Sequence, residues 1–207
     1  MRQWLTRQSD SSSAGSSRRI YQIWSGHLRY CKHLSYEAFR ATAGVRSDKF
    51  FSAVADRVVQ QQLRGFNPQE LAILVWAFAT AGVRSDKLYK AVADEAVRQK
   101  LRHFNPLDLA NMVWAFSTAG MRSDKLYKAV ADKVVQEKLC GFNHQSLSNI
   151  VWAFAKAGVR SKDLYLAVAD EAVRQKLRGF NPQSLVNMVW AFSTVGAHAE
   201  NFYAAVA

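Results

Sequence analysis

Asn111, Asn149 and Asn187 stand 38 residues apart, and three positions before each lies a small polar side chain, Asp108, Ser146 or Ser184. The earlier copy of the same pair is Glu70 and Ile73. Short amides, hydroxyls and carboxylates presented at a fixed interval can hydrogen-bond base edges, one base per unit, as in modular RNA readers. A second recurrent set is cationic: Arg46, Arg84, Arg122 and Arg160, each just before a serine. With Lys87, Lys125 and the tracts Lys100-Leu101-Arg102 and Lys176-Leu177-Arg178, these can track a phosphate backbone or form a solvated rim paired with carboxylates. The repeated acids Asp56, Asp94, Asp132 and Asp170 belong to separate units and cannot all serve one acid–base centre, so catalysis is not expected. Asp94 and Asp170 precede Arg98 and Arg174 by four residues, a helical ion-pair spacing. His27, Cys31 and His33 make the only potential metal cluster, without a fourth ligand at zinc spacing, and no Gly-rich phosphate loop is present. No metal, cofactor or small-molecule substrate is expected.

The elements that carry these residues follow from internal repetition. Val-Trp-Ala-Phe recurs at Val75–Phe78, Val113–Phe116, Val151–Phe154 and Val189–Phe192, every 38 residues. The same step relates Phe66-Asn67 to its three later copies, Gly82 to Gly120, Gly158 and Gly196, and Tyr89 to Tyr127, Tyr165 and Tyr203. A fixed period of this size is the signature of a solenoid. Within a unit, Asn67 can cap a first helix with Pro68 in its first turn, and Gly82 suits a left-handed C-terminal position. Ser85-Asp86 starts a second helix whose apolar stripe is Leu88, Val92 and Ala96, with Tyr89, Ala93 and Val97 alongside. Helix A should span ~14 residues, about 21 Å, and helix B slightly more. The expected fold is all-α, a right-handed α-solenoid of 38-residue helix-turn-helix repeats. Residues 37–64 form a degenerate first repeat with Ala38 in place of Trp, and residues 65–207 three full repeats and a truncated fourth.

At 100° per residue, Gln69, Glu70, Ile73, Ala77 and Thr80 share about one third of the helix A wheel, opposite Leu71, Val75 and Phe78. Helix A therefore carries a polar, variable strip on a constant scaffold, and the first helix of such pairs usually lines the concave surface. Trp76, Trp114, Trp152 and Trp190 sit at the edge of this arc. Their strict recurrence in an apolar run assigns them to core or inter-repeat packing ahead of base stacking. Phe66, Phe104, Phe142 and Phe180 are assigned likewise.

A 38-residue helical pair centred on VWAFATAG or VWAFSTAG resembles the octotricopeptide repeat family. It is also similar to the helical repeats of organellar RNA-editing substrate-binding complexes and FAST-kinase-like proteins. The similarity spans residues 38–207. It implies single-stranded RNA binding in a mitochondrion or chloroplast, the mitochondrion slightly preferred, in transcript processing, stability, editing or translation. Other proteins of an organellar RNA-processing complex are implied as partners. Family members often carry a C-terminal RAP domain; here Ala207 falls midway through a helix B, as expected of a piece of a longer array. The alternative is a protein-interaction scaffold of tetratricopeptide type.

Composition agrees with these readings. Of 207 residues, 49% are hydrophobic and 21% charged, with 28 Lys and Arg against 16 Asp and Glu, a formal +12. No apolar run reaches the ~18–20 residues of a membrane span. Two cysteines, Cys31 and Cys140, cannot build a disulfide framework and favour a reducing compartment. Residues 1–36 are Ser- and Arg-rich with Asp10 as their lone acid, which fits an organellar transit peptide or a basic tail.

Overall fold

The computed structural model describes residues 48–206 apart from Cys140 and Arg178. The basic N-terminal segment, the His27, Cys31 and His33 cluster, helix A of the first repeat and Arg46 lie outside the described residues. The described residues form nine helices and no strands. They are α1 Asp48–Gln60, α2 Pro68–Ala81, α3 Asp86–Arg98, α4 Pro106–Thr118, α5 Asp124–Gln136, α6 His144–Lys156, α7 Lys162–Arg174, α8 Pro182–Val195 and α9 Glu200–Val206. The even-numbered helices are the A helices of successive units and the odd-numbered ones the B helices.

The A helices start as predicted, whereas among the B-helix serines Ser123 caps through its side chain and Ser85 and Ser161 do not. Asn67, Asn105, Asn143 and Asn181 cap the A helices, each side chain accepting from the backbone N–H three residues on. Glu70 and Asp108 complete capping boxes by accepting from the backbone N–H of Asn67 and Asn105. Each satisfied cap is worth about 1 kcal/mol. Gly82 and Gly196 end α2 and α8 in the left-handed region, at φ 67° and 68°, where a Cβ would be strained.

The B helices depart from expectation in length. α3, α5 and α7 have 13 residues each, no longer than the A helices. Each ends where a Lys-Leu pair turns left-handed: Lys100-Leu101, Lys138-Leu139 and Lys176-Leu177 all have φ between 48° and 55°. That turn drives Leu101 and Leu139 into the core at 1% and 2% exposure. Burial of the leucine, worth about 1.5–3 kcal/mol, offsets much of a backbone strain of about 1–2 kcal/mol per left-handed residue.

One continuous core runs through the array. Leu71, Val75 and Phe78 and their equivalents in α4 and α6 are buried, as are Leu88, Tyr89 and Val92 and their equivalents in α5 and α7. Tyr89 meets Phe116 of the next unit edge-to-face at 5.0 Å, and Tyr127 meets Phe154 at 4.9 Å. Their hydroxyls donate back to the carbonyls of Val75 at 3.1 Å and Val113 at 3.3 Å, so one side chain ties both helices of a unit to its neighbour. Phe104 and Phe142 are buried as expected, while Phe66 and Phe180 are only partly so.

The two helical layers are spaced unequally. α2, α4, α6 and α8 pack side by side along their lengths, whereas the B helices touch one another sparingly. The A helices are therefore the more closely packed layer. Neither α2 nor any other described helix is long and apolar enough to cross a membrane.

Candidate nucleic-acid interface

The exposed stripe of each A helix is set by what its neighbours cover. Close packing of one A helix on the next requires small side chains at the seam, and Ala77, Ala115, Ala153 and Ala191 supply them at 7% exposure or less. The adjacent position on the same side is equally enclosed: Asp108 is 5% exposed, Ser146 1% and Ser184 1%. At this seam the Ser148 hydroxyl donates to the Ser184 carbonyl at 3.2 Å across the repeat junction.

This corrects the predicted strip. Asp108, Ser146 and Ser184 are closed off from a base edge by the neighbouring helix. Asp108 instead holds the Asn105 N–H at 3.2 Å, and burial raises its carboxyl above the ordinary range. Glu70 remains partly exposed but is engaged with the Asn67 N–H at 2.9 Å. The physical reason is that seam positions select for small size, and small polar residues satisfy that as well as alanine does.

The surface stripe runs one step round the helix. It consists of position one (Gln69, Leu107, Gln145, Gln183), position two (Ile73, Asn111, Asn149, Asn187), position three (Trp76, Trp114, Trp152, Trp190) and, at position four, Lys156 and Thr194, where Thr118 is half-buried and Thr80 buried. All members of the second position are half-buried, with one face to solvent. The Gln145 amide donates to Asn149 Oδ1 at 2.8 Å, and Gln183 does the same to Asn187 at 2.9 Å. Each asparagine thereby has its oxygen occupied and its Nδ2 left as a donor without a protein acceptor among the described residues. Asn111 follows the exposed Leu107 and lacks this orienting partner, and Ile73 offers no hydrogen bond.

The tryptophans pack against the core and between repeats, as expected, without being fully enclosed. Trp76, Trp114 and Trp152 are half-buried against the core, and Trp190 is 44% exposed. Inter-repeat packing is present, since Trp152 and Trp190 approach to 6.4 Å between centroids, but each ring keeps an accessible portion. The available signal was their place at the edge of the polar arc. Lys156 replaces threonine in the same stripe, and its ammonium sits 4.5 Å over the Trp152 ring, where partial burial lowers its affinity for a proton.

Cations border the stripe at both ends of the A helices. Beyond their C-termini, Arg84 donates to Asp86 at 3.0 Å and Arg122 to Asp124 at 2.7 Å, all four side chains well exposed. Such pairs are worth at most about 1 kcal/mol and exchange readily for a phosphate. Arg160 is exposed too, and the order Lys162-Asp163 leaves it with no carboxylate partner among the described residues. Before the A helix N-termini stand the exposed Lys100, Arg102 and Lys176.

The repeated acids are structural where they have partners. Asp56 pairs with Lys87 of the next unit, and Asp132 with Lys128 at 3.0 Å. The expected Asp94–Arg98 and Asp170–Arg174 pairs do not form. Arg98 grips Glu95 through two nitrogens at 2.7 and 2.6 Å, and Arg174 grips Glu171 at 2.6 and 2.7 Å. Glu95 and Glu171 lie at the edge of the core, 5% and 7% exposed, where a bidentate partner offsets desolvation better than it would for the open Asp94 and Asp170. Among the described residues, no three His, Cys, Asp or Glu side chains gather as metal donors.

The model of the family described as RNA-editing substrate-binding complex 6 protein matches residues 36–137 and, in a second overlapping register, 108–207. None of the curated proteins matches closely enough to be called a relative.

Proposed function

The chain belongs to the RNA-editing substrate-binding complex 6 family, and from that premise we propose that it is a modular binder of single-stranded RNA within an RNA-editing assembly, acting on mitochondrial transcripts. The observation that carries this reading is the partly exposed asparagine row Asn111, Asn149 and Asn187, repeated along the A helices with the tryptophan row beside it. Single-stranded RNA is read by side chains that hydrogen-bond unstacked bases on their exposed edges, with aromatic faces as stacking partners. Arg84, Arg122 and Arg160 on one border and Lys100, Arg102 and Lys176 on the other supply the phosphate contacts.

The pair of residues at positions one and two differs between units and gives the readout its pattern. α6 and α8 both present Gln with Asn, through Gln145 and Asn149 and through Gln183 and Asn187. α4 presents Leu107 with Asn111, and α2 Gln69 with Ile73. The units of α6 and α8 therefore prefer the same base, one offering an acceptor to the asparagine Nδ2, whereas those of α4 and α2 differ from them.

Selection from a random single-stranded RNA pool, with the selected sequences titrated at several salt concentrations, tests the reading. Enrichment of two adjacent identical bases, with a log–log salt slope of about −0.7 per phosphate contacted, is the expected result. Absence of RNA binding at low salt overturns it in favour of a protein-interaction scaffold.

A further inference from the structure

The aromatic contacts across repeat junctions are of two kinds. The buried ones, Tyr89–Phe116 and Tyr127–Phe154, are closed edge-to-face pairs at 5.0 and 4.9 Å with interplanar angles of 87° and 84°. Trp152–Trp190 differs: it lies on the surface stripe of the A helices, its centroids are 6.4 Å apart, and its rings are tilted by 42°. This pair is more open than the buried ones: Trp152 is half-buried, and Trp190, on the last described A helix, is 44% exposed.

We propose that Trp152 and Trp190 form a stacking slot for one nucleobase of a bound single-stranded RNA. A base held between two aromatic faces needs about 6.8 Å between them, twice the about 3.4 Å rise of stacked bases. The observed separation of 6.4 Å falls a few tenths of an ångström short of that, so rotation of the exposed Trp190 indole toward parallel opens the slot without moving either helix. Lys156, whose ammonium lies 4.5 Å over Trp152, leaves the ring as the base enters and meets the adjoining phosphate. Asn149 and Asn187 stand three residues before the two tryptophans, about one helical turn away on the same stripe. The slot thus supplies sequence-tolerant stacking between two units whose asparagines address base edges, and it deepens the RNA-binding reading on which it rests.

The test is titration of the full chain with a 12-residue oligoadenylate and with an abasic ribose-phosphate oligomer of equal length, followed by intrinsic tryptophan fluorescence and by anisotropy of a labelled RNA. Wild type is expected to bind oligoadenylate with quenching. Trp190→Leu should lose about fivefold or more in affinity, the worth of one stacked base, together with much of the quenching. Trp190→Phe should recover most of the affinity, and the abasic oligomer should bind all three proteins alike. Circular dichroism confirms that the variants keep their helices. Equal affinity and equal quenching for wild type and Trp190→Leu overturn the slot and leave RNA binding standing. Failure of wild type to bind any RNA at low salt overturns both.

Discussion

The side-chain amide of Gln99 donates to the carbonyl oxygen of Phe66 at 3.0 Å, joining the end of α3 to the turn that precedes α2, and Gln175 repeats the bond to Phe142 at 2.9 Å. Both glutamines also donate to the carboxylate four residues earlier, Glu95 or Glu171. The intervening unit has Lys133 and Glu137 at these places, paired with each other at 2.5 Å. The array therefore carries a structural alternation of two units on top of its single-unit period.

Gln99→Leu leaves the Phe66 carbonyl without that donor and should lower unfolding free energy by about 1–2 kcal/mol in urea denaturation. Glu137→Ala, which removes an exposed partner of Lys133, should change it by less than about 1 kcal/mol. Equal effects of the two substitutions would refute the distinction.

Acid should weaken the same clamps. The hydrogen bonds from Arg98 hold the Glu95 carboxyl below its ordinary value of 4.5, and Arg174 does the same for Glu171. An acid with a lowered native pKa stabilises the fold fully above its unfolded value, and that contribution drains away as pH falls through the native one. Urea midpoints should thus be flat near neutrality and fall below about pH 4.5. The double variant Glu95→Gln, Glu171→Gln should start less stable at pH 7 and show a shallower decline.

Tyr89→Phe keeps the edge-to-face contact with Phe116 and deletes only the hydroxyl bond to the Val75 carbonyl. Its expected cost is about 1 kcal/mol, whereas Tyr89→Ala also opens a cavity and should cost about 3–5 kcal/mol. Thermal unfolding of the two variants separates the polar part of this junction from the apolar part.

The parts of the fold legible in sequence are those governed by local chemistry. Asn67-Pro68 specifies a helix start because the side-chain oxygen and the missing proline N–H both answer the needs of one turn. The Leu71, Val75 and Phe78 stripe specifies a buried face in the same way. What was not legible depends on neighbours. A helical wheel places Asp108, Ser146 and Ser184 on a polar arc, and only the approach of the next A helix shows that this arc is a seam. Trp76, Trp114 and Trp152 pack against the core as their apolar area suggests, while Trp190 on α8, the last described A helix, is 44% exposed. Arg98 chooses Glu95 over Asp94 because the core edge, absent from the sequence, makes that carboxylate the one in need of a partner.

RNA recognition itself separates into two measurable parts. Asn149→Ala removes the Nδ2 donor oriented by Gln145 and should weaken the preferred RNA by about 1–2 kcal/mol while relaxing preference at one base. Gln145→Ala should produce a smaller loss of the same character, because the amide is then present but unoriented. Arg160→Ala should weaken every sequence alike and reduce the salt slope by about 0.7, the loss of one phosphate contact. Arg84→Ala should do the same with a smaller loss of affinity, since binding through Arg84 first displaces Asp86. Titrations of one selected RNA and one scrambled RNA, each at four salt concentrations, distinguish these outcomes. A base-specific effect from Arg160, or a uniform effect from Asn149, would reverse the assignment of the asparagine row to base edges and of the arginine row to phosphates.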